Sequence, residues 1–301
     1  MGYSPNSAAS ALSNFKQDSQ TKSIHSSIAW LNAWRLPANL RKFCEFDAYW
    51  TGLEESVRPS GYRLEEFIID ESVSLQRLAK ILHVRNIQGI VIPPQQDFVA
   101  DDWAAFPWND FSVVRIGRSM TAVSSHLVGP DHATNTILAF HEIQQRGYQR
   151  IGFIGINQTT HMGTGGLLQV NAQVPAARRV TPLLCEKPLG ADDHQLIASW
   201  LLHEKPDAIL CDQIMVPVLL AKLGVRVPED VALAAMGISE GSAGAGIDQN
   251  GLEIGEAAGA VLLALIRAND RGIPLVPKET LLSGKWVDGP SMPICKNSPA
   301  D

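Results

Sequence analysis

The fold of this chain is decided by residues 126–155, HLVGPDHATNTILAFHEIQQRGYQRIGFIG. A short strand ends at a Gly-Pro turn, a helix with grouped apolar side chains is predicted over residues 133–146, and a strand follows over residues 150–155. The second strand is apolar nearly throughout, and such strands lie inside parallel sheets that helices cover. The stretch therefore predicts a strand-helix-strand unit of an α/β layer structure.

The same alternation of strand and helix extends in both directions from this unit. Upstream, strands are predicted at residues 24–30, 63–70, 89–93 and 113–117, and helices at residues 43–57 and 74–84. Downstream, strands are predicted at residues 181–185, 208–211, 231–236 and 279–286, and helices at residues 192–203, 213–223 and 251–269. Two such runs indicate two parallel-sheet, Rossmann-like lobes, with a ligand cleft where the carboxyl ends of the strands meet.

Composition narrows the class of protein. A length of 301 residues allows about two domains, and 45% hydrophobic residues can supply two cores. The net charge of −6 gives no global basic field, so any DNA contact must be local. The four cysteines lack CxxC spacing, no motif calls for a metal or cofactor, and no segment suits a secretion signal or a membrane span. We therefore expect a cytoplasmic protein with reduced cysteines.

The first 22 residues differ in character from the rest. Residues 4–13 combine a plausible cap, an early proline and several alanines, which allows about two helical turns. A helix of this length is not stable alone, and a polar linker follows it. On composition alone, a frayed terminus is the simpler alternative.

Several short motifs occur in one order along the chain. They are GYSPN at 2–6, YWTGLEE at 49–55, IQGIVI at 87–92, PDAI at 206–209, VPEDV at 227–231 and EIG at 253–255. Together they resemble the lactose-repressor (LacI/GalR) family of bacterial transcription regulators over nearly the whole chain. The resemblance implies a periplasmic-binding-protein-like (type I) core that forms a homodimer and binds a small, carbohydrate-like effector between its lobes.

The resemblance also implies a division into three parts. Residues 1–22 would be a hinge helix and linker, residues 23–149 with 250–274 the first lobe, and residues 150–249 with 275–301 the second lobe. In such proteins the hinge folds on operator DNA and a leucine wedges into the minor groove. The matching DNA-binding positions here are Pro5, Asn6, Ala9 and Leu12. The helix-turn-helix that precedes this hinge in the family has no counterpart in the sequence, so we expect a fragment of a longer regulator.

Effector contacts are expected first from the amino-terminal lobe. The loop after the first strand carries Trp30, Asn32 and Trp34, and an indole can stack on a sugar while polar groups bind its hydroxyls. Arg118 and Asp131 match positions that bind effector in relatives. The alternatives are core packing for the tryptophans, an exposed surface position for Arg118 and an N-cap role for Asp131.

The second lobe departs from the family pattern. Gly163 stands where relatives carry an arginine, and the two acids of the family's GFDD motif are replaced by Gly237 and Ile238. Loss of a buried charge removes matched hydrogen bonds to hydroxyl groups, so the effector or its pose should differ from the familiar sugars. His161, Asp212 and Gln249 are the substitute contacts that the sequence offers.

Two other classes of protein are weighed against a regulator. A transport-type binding protein on the same fold would be monomeric and exported. An enzyme is suggested only by GISEG at 237–241, which has the GxSxG form of a hydrolase elbow. That elbow needs a helix directly after the serine, whereas residues 242–246 are predicted to form a flexible loop. No acid, base and nucleophile set accompanies it, so we expect no catalytic residues.

Overall fold

The computed structural model describes residues 26–70, 73–95 and 103–295. These residues form two six-stranded sheets, each with its own helices, which we call the first and second lobes. The first sheet contains β1 (Ser26–Asn32), β2 (Tyr62–Ile68), β3 (Gly89–Ile92), β4 (Ser112–Ile116), β5 (His126–Pro130) and β11 (Glu279–Leu282). The second contains β6 (Ile151–Ile156), β7 (Leu183–Cys185), β8 (Ala208–Cys211), β9 (Ala232–Ala235), β10 (Ala245–Asp248) and β12 (Lys285–Val287). The prediction of two parallel-sheet α/β lobes is confirmed.

The strand orders are those of open, doubly wound sheets. They run β11-β5-β4-β3-β1-β2 in the first lobe and β12-β10-β9-β8-β6-β7 in the second. Every described pairing is parallel except that of β10 with β12. The order changes direction near the middle of each sheet, which is where ligands bind in this architecture.

Helices cover both faces of each sheet. They are α1 (Cys44–Val57), α2 (Leu75–Val84), α3 (His132–Gln145), α4 (Asn157–Gln173), α5 (His194–Glu204), α6 (Val216–Lys222) and α7 (Gly251–Ala268). Each lobe consequently has two separate hydrophobic cores, one on each side of its sheet. Within the described residues, no helix has the length and apolar composition needed to cross a bilayer.

The chain crosses between the lobes earlier than the sequence suggested. The predicted unit of residues 126–155 is divided: β5 pairs with β4 in the first sheet, whereas β6 pairs with β8 in the second. Helix α3 already belongs to the second lobe, because Phe140 and Ile143 share a core with Phe153. The crossing therefore falls at Asp131 and not near residue 149. Local periodicity identifies a strand but does not specify which sheet it joins.

The last predicted strand is also corrected. Residues 279–286 form two strands, of which β11 pairs with β5 in the first sheet and β12 pairs with β10 in the second. The turn between them passes at Gly284, where a Cβ would lie 2.6 Å from Ile247 Cγ2 and 2.7 Å from the Asp248 carbonyl oxygen. The segment that was assigned to the second lobe therefore makes a further crossing between the lobes. Because Gly284 has no side chain, the backbone can pass close to β10.

A third correction concerns residues 242–246, which were predicted to be a flexible loop. The structure begins β10 at Ala245, and Ala245 and Ile247 are fully buried between neighbouring strands. Small residues have low β-propensity, so this strand depends on tertiary pairing more than on local preference. No helix follows Ser239: the turn Ile238–Glu240 leads to β10, and the hydrolase elbow is not formed.

Helices α1 and α7 make the closest backbone contact in the first lobe. A Cβ on Gly52 would lie 2.0 Å from the Leu252 carbonyl oxygen, and one on Gly255 would lie 2.3 Å from the Tyr49 carbonyl oxygen. The glycines let the two helices touch backbone to backbone. This contact holds the late helix α7 in the first lobe, as the sequence predicted.

Candidate functional site

The two lobes touch each other beyond the carboxyl ends of β1 and β9. The start of α1 in the first lobe touches the turn after β9 in the second. The backbone N–H of Glu45 donates a hydrogen bond of 3.0 Å to Glu240 Oε1. A side chain of one lobe therefore caps a helix of the other, and the cleft is closed at this point.

A group of polar side chains surrounds this contact, and we call it the interlobe cluster. Its members are Glu45, Tyr49, Glu240, Asp248 and Gln249. The Tyr49 hydroxyl donates to Glu45 Oε1 at 2.7 Å, and Gln249 Nε2 donates to the Met236 carbonyl oxygen at 2.9 Å. The cluster is thus built from α1 of the first lobe and the ends of β9 and β10 of the second.

Gly237 lies at the centre of the cluster. A Cβ at this glycine would stand 3.0 Å from Gln249 Nε2 and 3.3 Å from Glu45 Oε2. The amide and the carboxylate therefore converge on the same bare Cα from opposite lobes. Any side chain at position 237 would crowd these two groups, because both distances are shorter than ordinary van der Waals contact.

Burial controls the ionisation of the cluster. Burial is the main cause that raises the pKa of Glu45 to about 7; the Tyr49 hydrogen bond acts in the other direction, and the carboxylates of Glu240 and Asp248 act with burial. The pKa of Tyr49 is raised well above its ordinary value by burial and by Glu45. A carboxyl that titrates near neutrality between two lobes can respond to a ligand that brings charge.

Gln249 is the predicted second-lobe residue that the structure places in this cluster. It is 7% exposed, and its Oε1 is buried without a hydrogen-bond partner in the part of the chain that the structure describes. A buried acceptor without a partner is costly unless another group satisfies it. Gln249 therefore keeps its place as a candidate ligand contact.

Two of the residues predicted to lie in the loop after the first strand lie within β1 and are packing residues. Trp30 is fully buried, and its ring meets Trp50 edge to face at 5.4 Å in the first-lobe core. Asn32 is fully buried as well, and its amide nitrogen donates to the Pro37 carbonyl oxygen and to Glu66 Oε1. Neither offers surface to a ligand in this structure, which corrects the expectation of a sugar-facing indole and amide at these positions.

Trp34 lies next to the cluster but is itself 4% exposed. Its indole Nε1 donates to the Pro94 carbonyl oxygen at 2.8 Å, and its ring packs edge-on against Phe43 and Phe46. Phe43 and Phe46 are half-buried and flank Glu45 along the chain. The aromatic surface beside the cluster is therefore supplied by the phenylalanines, with Trp34 packed behind them.

Arg118 is already held by an acidic partner. Its guanidinium forms a two-point contact with Glu279 of β11, with Nη1 to Oε1 at 2.7 Å. The pair joins the loop after β4 to the strand that leads back into the second lobe. Burial, aided by Arg118, lowers the pKa of the nearby His132 to about 4, which keeps that imidazole neutral.

Asp131 is the N-cap of α3, at the point where the chain crosses between lobes. Its Oδ1 accepts from the Thr134 backbone N–H at 3.0 Å, and its Oδ2 accepts from the Thr134 hydroxyl at 2.7 Å. Both carboxylate oxygens are thus engaged within the first turn of the helix. The capping alternative is what the structure shows, and a direct ligand contact stays a prediction.

We expect Asp131→Ala to lower the free energy of unfolding by about 1 kcal/mol, because the helix loses its cap. Asp131→Asn should keep most of this stability, since an amide oxygen can still accept from the Thr134 N–H. Chemical denaturation of both variants checks the pair. If both variants lost the same free energy of unfolding, the charge of Asp131 would matter and its hydrogen bond to the Thr134 N–H would not.

The structure gives less information about the other residues that were predicted to bind effector or DNA. Asp212 directly follows β8 at the cleft edge, and its backbone N–H donates to the Ile154 carbonyl oxygen. His161 lies in α4, and its side chain is outside what the structure describes. The hinge positions Pro5, Asn6, Ala9 and Leu12 also lie outside the described residues. Their roles stay predictions.

Sequence reasoning missed Glu45 and Glu240. An acid in the first turn of a helix is normally explained by the helix dipole, and Glu240 stands in a glycine-rich turn. One signal was present: Glu45 and Tyr49 are four residues apart, and so lie on one face of α1. Among the described residues, no group of three or more His, Cys, Asp or Glu side chains is arranged to hold a metal ion.

Comparison with known proteins shows similarity at the level of structure. No protein-family profile matches the chain, and no curated protein sequence matches it. A LacI family transcriptional regulator from Enterococcus faecium with bound ribose has a TM-score of 0.65 at 16% identity, over 90% of this chain and 100% of that one. The transcriptional regulator CelR in complex with cellobiose gives 0.65 at 16% identity, over 96% and 91%.

A third solved structure with this fold is named both as a periplasmic binding protein and as a LacI transcriptional regulator. It is a periplasmic binding protein/LacI transcriptional regulator from Alkaliphilus metalliredigens QYMF complexed with D-xylulofuranose, with a TM-score of 0.64 at 15% identity, over 89% and 99%. The chain therefore has the two-lobed, periplasmic-binding-protein-like (type I) fold. The fold is the one seen in LacI-family regulators, and the likeness extends over nearly all of their length.

Proposed function

We propose that this chain is the core of a DNA-binding transcription regulator of the LacI type. In this proposal a small polar effector, a carbohydrate or a similar molecule, binds in the interlobe cleft and changes affinity for operator DNA. The observation that carries the proposal is the two-lobed fold, whose lobes meet at the Glu45–Glu240 contact beside the bare Cα of Gly237. Three solved structures of the same fold hold a sugar, which supports this class of effector.

The connections between the lobes support a mechanism of opening and closing. The described chain crosses after β5, after β10 and between β11 and β12, and three parallel connections resist twisting more than bending. An effector that contacts both lobes would favour the closed form by its difference in affinity for the two forms. Coupling of about 1–3 kcal/mol to a DNA-binding segment is typical of such proteins.

The proposed assembly is a homodimer in the cytoplasm, because an operator with two half-sites needs two hinge segments. The alternative is a transport-type binding protein, and one solved structure of this fold joins both classes in its name. Solution mass separates the two. A dimer supports the regulator, whereas a strict monomer at micromolar concentration argues for the binding protein.

A thermal-shift screen tests for the effector. Pentoses, hexoses, uronic acids and nucleosides are added singly, and a true ligand at about 100 times its Kd should stabilise the folded state by about 2.7 kcal/mol. The control is the Gly237→Ala variant, whose Cβ would stand 3.0 Å from Gln249 Nε2 and 3.3 Å from Glu45 Oε2 and so would crowd a ligand that touches both groups. A compound that stabilises both proteins equally binds elsewhere, and a screen without any ligand of these classes contradicts the carbohydrate effector.

The DNA-binding part of the proposal rests on Leu12. When the chain is joined to a DNA-reading domain, Leu12→Ala should weaken binding to a selected operator by about tenfold, because the apolar wedge that bends DNA is truncated. Fluorescence anisotropy measures the affinity, and the melting temperature of the core should not change. Unchanged operator affinity would reject the wedge.

A further inference from the structure

We propose that the amino-terminal segment docks on its own first lobe, where Leu12 and Phe15 cover an exposed loop at residues 273–276. We call residues 273–276 the apolar loop. The regulatory meaning of this contact rests on the proposed function, because Leu12 is the residue expected to wedge into operator DNA. Docking would withhold Leu12 from DNA, so the loop and the operator would compete for one segment.

The apolar loop presents large hydrophobic side chains to solvent. Ile273 and Val276 are exposed, and Leu275 is completely exposed. Leu275 is also the most exposed large apolar side chain in the part of the chain that the structure describes. Adjoining apolar side chains on a surface indicate a site of interaction, whereas single ones do not.

The loop is held in place at both ends. Before it, the Gly272 N–H donates to the Phe111 carbonyl oxygen at 2.9 Å, and after it, the Lys278 N–H donates to His126 Nδ1 at 3.0 Å. Two prolines, at positions 274 and 277, fix the backbone between these anchors. The exposed side chains therefore stand on an ordered backbone, which lowers the entropy cost of binding a partner.

The loop lies at the edge of the lobe from which the amino-terminal segment departs. The strands of the first sheet are parallel, so β1, β4 and β5 begin at one edge, and the loop is anchored at the starts of β4 and β5. Strand β1 begins at Ser26, whose hydroxyl donates to the Asn86 carbonyl oxygen at 3.1 Å. Val84, at the end of α2, is exposed beside this point. The contact between the lobes is at the opposite edge, so docking leaves it free.

The segment is long enough to reach the loop. In the sheet order, β1 is separated from β4 and β5 by two and three strand spacings, which is about 10–15 Å. Phe15 lies eleven residues before Ser26, and a chain of that length spans up to about 36 Å. Because the segment is tethered, its effective concentration at the loop is in the millimolar range, and a weak contact suffices.

The segment carries a matching pair of side chains. Between residues 6 and 23, Leu12 and Phe15 are the large hydrophobic residues, and all the others are alanine or polar. A spacing of three residues lets both side chains face one partner across a helical turn. A helix this short needs an apolar partner to be stable, and the loop offers one in the absence of DNA.

Competition sets the size of the regulatory effect. We expect the docked form to exceed the free form about tenfold, which burial of one leucine-sized side chain can supply. Operator affinity is then lowered by the same factor, about tenfold, because only the free form binds DNA. Removing the loop's hydrophobic side chains should restore that affinity. The loop is the better place for the test, since Leu12 serves both partners.

Limited proteolysis of the full chain tests the docking without DNA. Trypsin cleaves after lysine, and Lys16 and Lys22 lie in the segment. The variant Leu275→Ser/Val276→Ser should be cleaved at both sites about tenfold faster than the unmodified chain, with an unchanged melting temperature because both side chains are exposed. Phe15→Ser should give much of the same acceleration, and less than an additive effect with the loop variant. The matched control is Leu202→Ser, an exposed leucine on α5 of the second lobe, which should not change cleavage.

The outcomes separate this inference from the proposed function. Equal cleavage of the unmodified chain and the loop variant would overturn the docking. Protection that falls on dilution would overturn it as well, because a second copy would then cover the loop. With a DNA-reading domain attached, the loop variant should bind operator about tenfold more tightly, and equal affinity would overturn the competition. If neither protein binds any operator, the proposed function fails while the trypsin result still decides the docking.

Discussion

Gly255→Ala is expected to destabilise the chain by about 3 kcal/mol, although it adds a single methyl group. The added Cβ would lie 2.3 Å from the Tyr49 carbonyl oxygen and 2.8 Å from the Leu53 nitrogen. Both neighbours are backbone atoms of a helix, so relief requires α1 and α7 to separate. Overpacking of this kind costs about 1–3 kcal/mol or more, which corresponds to a fall of about 6 °C or more in melting temperature.

The matched control is Gly165→Ala in α4. No atom lies within 4 Å of a Cβ built at Gly165, so this change should stabilise the protein by about 0.5–1 kcal/mol through lower backbone entropy in the unfolded chain. Chemical denaturation of the two variants gives the comparison. If both alanines stabilised the protein, the backbone contact between α1 and α7 would be wrong.

Glu45→Gln should make the protein more stable at pH 8 and leave it nearly unchanged at pH 5. The pKa of this carboxyl is raised from 4.5 to about 7, so its protonated form is favoured in the folded state. Its contribution to stability is fully present below about pH 4.5 and is lost as the pH rises through 7. The loss at pH 8 amounts to at most about 3 kcal/mol, which glutamine avoids.

Denaturation at several pH values checks this prediction. The difference in unfolding free energy between Glu45→Gln and the unmodified chain should grow from pH 5 to pH 8 and then level off. Glu55→Gln is the control, because that side chain is exposed and should show no such dependence. A difference that does not change with pH would mean that Glu45 is not buried between the lobes.

The fold was predictable to a considerable extent from local pattern. Residues 208–211 were predicted as a strand and are one, and the helix predicted over residues 43–57 is observed as Cys44–Val57. The sheet to which a strand belongs was not predictable in the same way. Strands β5 and β11 pair across about 150 residues of sequence, and no periodicity in either strand records that contact.

The site was predicted less well, for physical reasons that differ between residues. In β1 the last six residues are buried, with Ile28 and Trp30 in one core and Ala29 and Leu31 in the other. A strand buried on both faces places its tryptophan in a core, and this signal was available. Glu45 gave no comparable signal, because its role depends on Glu240 and Gln249, which lie about 200 residues away.

The central claim is that two hinged lobes close on a small ligand held between them. The most direct measurement is the distance between spin labels at Leu36 in the first lobe and Ser239 in the second, both exposed, with Cys44 and Cys295 replaced by serine. The compound from the thermal-shift screen that raises the melting temperature most is added at saturation. We predict a shorter and narrower distance distribution with the compound than without it. The same distribution in both states would contradict closure of the lobes on a ligand.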